Sequence, residues 1–247
     1  MLKKASFILI LVLIWQMLAA LELYNRILLP SPAEIGKALY ALMASGALLV
    51  DIIMSLKRVL IGFAVATVLG SLLAILFVWN KTTAEYIGTL IEIIRPIPPI
   101  AWIPIAILWF GIGDIPAFFI VALGSFFPIF VNLFDGIKQV EPKFLMIANS
   151  FGASRSQTLK EIYFPLTLPY LISGMRIGLG VGWMSVITAE LIGAQSGLGY
   201  MMQLNRVLLQ TQNVMAGMIT VGILGFGLNR LMIWIERLAS PWKQSQA

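Results

Sequence analysis

The chain has 247 residues, 60% of them hydrophobic and only 11% charged. A soluble domain averages roughly 45–50% apolar and about 25% charged residues, so a single water-facing core cannot hide the excess and lipid must cover part of it. Cys and His are both absent, which excludes disulfides, thiol nucleophiles, imidazole bases and the commonest zinc ligands, and leaves no candidate catalytic or metal-binding set. A net charge of +6 would suggest a nucleic-acid partner in a soluble protein; here it fits basic residues that fix membrane topology.

A helix crosses the hydrocarbon core with about 20 apolar residues. Six stretches qualify as candidate spans: Phe7–Leu23, Val59–Trp79, Ile97–Ile112, Ile115–Phe134, Leu171–Ile192 and Val214–Ile235. The third is short and broken by prolines. The expectation is an all-α, polytopic membrane protein with about six transmembrane helices, forming one domain over 1–247. Within it, 1–54 holds the N-terminal helix and an outer helix, and 55–240 holds the core with an inner loop at 135–170.

Lys3 and Lys4 ahead of the first stretch could open a secretory signal peptide. No small-x-small pattern closes the run and further apolar stretches follow, so an uncleaved first helix is expected. Placing Lys3 and Lys4 inside puts both termini in the cytoplasm. The inside segments then hold Lys3, Lys4, Lys81, Lys138, Lys143, Arg155, Lys160, Arg237 and Lys243, against Arg26, Lys37, Lys57, Arg58 and Arg206 outside. The excess of basic residues inside supports this orientation. Lys57 and Arg58 are expected at a helix end, snorkelling to the headgroups.

Between the first two spans, Ser31-Pro32-Ala33-Glu34 reads as a helix start, with Ser as N-cap, Pro at N1 and Glu reaching back from N3. Ile35, Leu39, Leu42 and Met43 share a face of that helix. Two settings fit it, the outer membrane interface or a buried connector. Small residues recur every four positions at Gly62, Ala66, Gly70 and Ala74, and again at Gly174, Gly178 and Gly182. Such stripes let another backbone approach closely, within the subunit or across a dimer.

Pro96, Pro98, Pro99 and Pro104 crowd the third stretch. Each removes a backbone donor, and irregular backbone at membrane depth survives only inside protein or beside a water-filled cavity. Arg95, Pro98 and Pro99 are therefore candidates for a gate or cavity wall, or for a plain kink. Glu190, in the outer half of the fifth stretch, is a costly intramembrane carboxylate. It could close a gate by pairing with Arg58 or Arg206, or make a packing hydrogen bond. Donors without negative charge that could meet an anion are Ser125, Asn132, Trp183, Ser185 and Thr188, although bonding between helices is the commoner fate of such groups.

The inner loop, roughly Asp135 to Tyr170, is too polar to span and too patterned to be a linker. Glu141-Pro142 opens a helical stretch over Lys143–Ser150, Gly152 interrupts it, and Ser154–Tyr163 reads as a second short helix stopped by Pro165 and Pro169. Phe144, Ile147, Ala148 and Phe151 lie on one face of the first. No Gly-x-x-x-x-Gly-Lys-Ser/Thr phosphate loop occurs in the chain.

The run Met146-Ile147-Ala148-Asn149-Ser150-Phe151-Gly152, nine residues, then Ile162-Tyr163-Phe164-Pro165 resembles the cytoplasmic signature of bacterial ABC import permeases. That signature is Glu-Ala-Ala, three residues, Gly, nine residues, Ile-x-Leu-Pro. Ala148, Gly152, Ile162 and Pro165 match in register, while Met146, Ile147 and Phe164 depart from it. Further blocks resemble the nitrate/sulfonate/taurine branch: Leu29–Pro32, Ser55–Phe63, Arg95–Pro104, Trp109–Gly113, Gly174–Gly178, Ala189–Leu191 and Gly197–Gly199.

The resemblance implies a type I ABC importer permease fold in the bacterial inner membrane, with sulfonate or taurine as the nearest substrates and nitrate, bicarbonate or cyanate as alternatives. It implies a homodimer, two separate ATPase subunits that bind the ATP and magnesium, and a periplasmic or lipid-anchored substrate-binding protein. The inner loop would be the coupling element, with Ala148, Gly152, Ala153, Ser154, Arg155, Ile162 and Pro165 at the ATPase contact. An enzyme of envelope chemistry would instead cluster acids and bases at one interface, and an ATP-independent carrier would not need an ordered, glycine-broken inner loop.

Overall fold

A computed structural model describes residues 2–21, 28–78 and 81–239, and among them no strand occurs. Helices α1 (Leu2–Ala20) and α2 (Pro32–Ala44) precede the first long helix, α3 (Ala47–Val78). Helix α4 (Lys81–Ile94) leads through a 3-10 turn at Pro99–Trp102 into α5 (Ile103–Phe110). Helix α6 (Asp114–Lys138) runs to the inner loop, which holds α7 (Pro142–Ser150), α8 (Arg155–Thr158) and a π turn at Leu159–Tyr163. The chain returns as α9 (Phe164–Gly193), then α10 (Leu198–Val207) and α11 (Thr211–Ala239).

Four described helices are long and apolar enough to cross a membrane: Ala47–Phe77, Asp114–Lys138, Arg155–Gly193 and Thr211–Ala239. A fifth span arises if Tyr86–Ile94 and Pro99–Phe110, bent by 89°, count as one. This bent pair replaces the expected single stretch Ile97–Ile112, because the prolines at 96, 98 and 99 break the helix and the apolar run resumes on both sides. The expected first span corresponds to α1, whose apolar stretch Ile10–Ala20 is shorter than a span by itself. Its expected end at Glu22 and Leu23 lies outside the described residues, as do Trp79, Arg26 and Lys243.

Two expectations about helix ends are corrected. Helix α3 begins at Ala47, not near Val59, so Lys57 and Arg58 lie inside it. Asp51, Ser55 and Arg58 recur at i, i+4 and i+7 and find partners on one face, which lets the helix run on through polar positions. At the loop that follows α6, Pro165 and Pro169 do not stop the second short helix; Arg155–Gly193 is one span. The π turn one step before Pro165 widens the helix where its ring would meet a preceding carbonyl.

Helix α6 is the axis of the fold. It starts after Gly113, has Asp114 in its first turn and Lys138 in its last, each favourable to the helix dipole. Both small-residue stripes grip it. At Gly62 a Cβ would stand 2.8 Å from the Phe118 carbonyl oxygen, and Ala66 and Ala74 are buried on the same side. At Gly174 a Cβ would stand 3.0 Å from the Pro128 carbonyl oxygen, and at Gly178 2.9 Å from that of Ser125. The stripes therefore close α3 and α9 onto α6 within one subunit, with Val121, Ile129 and Phe130 filling the seams.

Gly178→Leu is accordingly expected to lower stability by about 1–3 kcal/mol through overpacking. Gly180→Leu, whose Cβ would meet nothing within 4 Å, is expected to leave it unchanged. Thermal unfolding of the purified variants in detergent checks both.

The remaining helices fasten to this centre. Trp183 Nε1 donates to the Val221 carbonyl at 3.2 Å and ties α9 to α11. Helix α2 begins as expected: the Ser31 hydroxyl accepts from the Glu34 N–H at 3.3 Å and Glu34 Oε2 accepts from the Ser31 N–H at 2.7 Å. Its buried face, Ile35 and Ala38, packs on Ala216 of α11, while Tyr40 and Met43 are exposed.

Candidate functional site

Polar side chains gather at two ends of the helix core. At the end where α9 meets α10, Arg58 and Glu190 are each only 1% exposed. Arg58 Nη1 donates to Glu190 Oε1 at 2.7 Å and to the Ser196 carbonyl at 2.6 Å. Its Nη2 reaches Asp114 Oδ1 at 2.6 Å and the Ser196 hydroxyl at 2.8 Å, and Nε reaches the same Asp114 oxygen at 3.0 Å. Glu190 also accepts from the Ser55 hydroxyl at 2.8 Å and from the Gly199 N–H at 2.9 Å. Asp51 accepts the Gly197 N–H at 2.9 Å, and Lys57 stands 3.6 Å from Asp114.

This arrangement follows from local sequence. Gly197 has φ of +102°, and a side chain there would strike the Glu190 carboxylate. Glycine thus lets the 194–197 turn fold back over α9, so that the Ser196 carbonyl accepts from Arg58 and the Gly199 N–H, at the start of α10, donates to Glu190. Every polar group of Arg58 and Glu190 is engaged, as burial of an ion pair requires. The result is a clasp that joins α3, α6, α9 and the turn into α10. Of the two partners expected for Glu190, the structure brings up Arg58; Arg206 lies exposed on α10. Arg58 therefore does not snorkel.

The inner loop is built just as locally. Helix α7 ends in a Schellman motif: the Ala153 N–H donates to the Ala148 carbonyl at 2.9 Å and the Gly152 N–H to that of Asn149 at 3.0 Å. Gly152 sits at φ +70°, the left-handed conformation this motif demands, with nothing within 4 Å of a Cβ there. Ser154 then caps α8, accepting from the Gln157 N–H at 3.3 Å while the Gln157 side chain takes the Ser154 N–H at 2.8 Å. Ala148 is buried, whereas Phe144, Ile147 and Phe151 on the same face are exposed, Phe151 to 87%. Arg155 and Pro165 are exposed and Ile162 and Ala153 half-buried. The loop thus presents a stiff, apolar, uncovered edge flanked by basic Arg155 and Lys160.

The proline segment places Arg95 and Pro98 on the surface. Pro99 instead meets α6: a Cβ on Gly124 would lie 3.3 Å from Pro99 Cγ and against the Ser185 hydroxyl. The five candidate anion donors are spread along α6 and α9, and each is engaged by a backbone carbonyl. The Ser125 hydroxyl donates to the Gly178 carbonyl at 3.0 Å, and Trp183 to Val221 as above. Asn132, Ser185 and Thr188 donate to the carbonyls of Pro128, Val181 and Met184 one turn back, at 2.8, 2.8 and 2.9 Å.

Sequence reasoning missed Asp51, Ser55, Asp114 and Ser196 in the clasp. The signal available was the Asp51-Ser55-Arg58 spacing in an otherwise apolar helix, with Glu190 as the only carboxylate of its stretch.

Residues 66–244 match the family described as binding-protein-dependent transport system inner membrane component. The taurine transport system permease protein TauC of Escherichia coli (strain K12) is 32% identical, over 94% of this chain and 86% of that protein. The nitrate import permease protein NrtB of Synechocystis sp. (strain PCC 6803) is 30% identical, over 98% and 90%. Among solved structures, a chain of the inward-facing MetNI methionine ABC transporter shares the fold, with a TM-score of 0.70, 17% identity, and coverage of 79% of this chain and 97% of that one.

Proposed function

The chain belongs to the binding-protein-dependent transport system inner membrane components, the permease subunits of ABC importers, and from that premise we propose that it carries a small organosulfonate of the taurine type. The observation that carries this choice is the 32% identity to the taurine permease along nearly the whole chain. Nitrate is the second reading, supported by the nitrate permease at 30%.

In this reading two copies of the chain form the pathway, with both termini in the cytoplasm. Two ATPase subunits bind the ATP and magnesium inside, and a periplasmic or lipid-anchored binding protein delivers the solute outside. The edge formed by Phe144, Ile147 and Phe151, stiffened by the Gly152 and Ser154 caps, docks in the ATPase and passes its rigid-body motion through the continuous Arg155–Gly193 span to the Glu190 clasp. Arg95, Pro98 and Pro99 form a gate wall in the bent pair. Anion contacts from Trp183, Ser185 or Thr188 require these groups to leave the carbonyls they now engage, which suits transient binding along a pathway.

Uptake by cells lacking and then regaining this gene tests the substrate. Restored uptake of radiolabelled taurine, with nitrate uptake unaffected, is the expected result; restored nitrate uptake alone selects the second reading. Co-purification of an ATPase bearing a phosphate loop tests the assembly independently of either solute.

A further inference from the structure

A cavity of about 390 Å3 opens where the ends of α3, α6 and α9 meet beside the inner loop. Its size falls in the range of roughly 300–1,000 Å3 typical of small-molecule sites. Ile75, Leu133, Ile137 and Leu171 give it apolar walls, and the π turn at Leu159–Tyr163 forms its rim. Tyr163 and Thr167 also line it, the Thr167 hydroxyl donating to the Tyr163 carbonyl at 2.7 Å, and two further polar groups stand there in a way that packing does not explain. Lys160 stands at the rim, exposed and without an ion-pair partner among the described residues. The Ser71 hydroxyl is buried and makes no hydrogen bond among the described residues. Thr67, one turn earlier on the same helix, bonds back to the Phe63 carbonyl at 2.9 Å, as a helical hydroxyl in an apolar setting normally does.

The chemistry demanded is an amphiphile with a long apolar part, a hydrogen-bond acceptor at intermediate depth and a negative charge at the rim. Ser71 lies seven residues before the end of α3, about 10 Å along the axis, and Ile137 is in the last turn of α6. The cavity thus sits at the boundary of the apolar core, where headgroups lie. We propose that it binds one anionic diacyl phospholipid of the inner leaflet, with a chain inside, an ester carbonyl accepting from Ser71 and the phosphate against Lys160. The leaflet rests on the topology proposed above, and cytoplasmic leaflets carry the anionic lipids. A lipid here wedges between α3 and the point where loop motion enters α9, so its presence would stiffen that joint.

The full-length chain, purified with whatever subunits accompany it, would be reconstituted in nanodiscs of equal parts phosphatidylglycerol and phosphatidylcholine. Retained lipid is then counted by native mass spectrometry after mild detergent extraction. The wild type is expected to keep one phosphatidylglycerol per chain in preference to phosphatidylcholine. Lys160→Glu, a surface change that leaves the fold intact, is expected to reduce that preference about tenfold. Ser71→Phe, which fills the cavity, is expected to abolish retention of both lipids. Equal retention of the two lipids by the wild type overturns the proposal, and so does unchanged preference in Lys160→Glu. The readout needs no transport, so an importer that carries taurine yet keeps no lipid separates this failure from failure of the functional reading.

Discussion

Arg58→Met is expected to destabilise the protein by about 3–5 kcal/mol, the cost of leaving a buried charge without its partner. Glu190 would then sit in an almost fully buried position with only the Ser55 hydroxyl and the Gly199 N–H for company. Asp114 suffers less, since it is partly exposed and Lys57 is close by. Arg58→Met combined with Glu190→Met is expected to regain most of the loss, because apolar residues of similar volume replace such pairs with little penalty. Unfolding curves for the three proteins in one detergent read this directly. Equal destabilisation in the single and double variants would mean that Arg58 acts through Asp114 and the Ser196 carbonyl instead. Glu190→Gln adds a functional branch: it keeps an oxygen for Ser55 and Gly199 but removes the charge facing Arg58. Normal uptake by Glu190→Gln would dispose of a gating role and leave the clasp purely structural.

The parts of the molecule that were legible in the sequence are those governed by local rules. The Ser31–Glu34 capping box, the Gly152 break and the apolar stretch Ile115–Phe134 each depend on neighbours within a few residues, and the structure places them where the pattern does. What was not legible depends on partners far along the chain. Arg58 and Glu190 are 132 positions apart, and burial of the arginine becomes affordable only when Asp114 and the 194–197 turn converge on it. An apolarity scan consequently cut α3 short at Val59. Pro165 misleads for a related reason, since its usual helix-breaking effect is offset by a π turn that has no sequence signature of its own, while Pro169 is carried inside α9. The stripe of Gly174, Gly178 and Gly182 announced a close contact but not its partner, which proved to be α6 of the same subunit.

Gly152→Val is expected to reduce transport at least tenfold while leaving membrane insertion and the helix core intact. The residue holds φ +70°, where a β-branched side chain costs on the order of 1–3 kcal/mol. Relief of that strain requires giving up the Schellman bonds from Ala153 to Ala148 and from Gly152 to Asn149, so the edge carrying Phe151 would swing away from the Ser154-capped helix that follows. Gly152→Asn provides the control: asparagine tolerates the left-handed region, and no atom lies within 4 Å of the position of its Cβ. It should therefore retain most of the transport that valine loses. Phe151→Asp leaves the backbone alone and removes only the exposed apolar contact. If the loop is the ATPase contact, Phe151→Asp should lose the co-purifying ATPase as fully as Gly152→Val, with ATP hydrolysis no longer stimulated by the binding protein. Full transport in both variants would mean that drive reaches the membrane helices by another route than this loop.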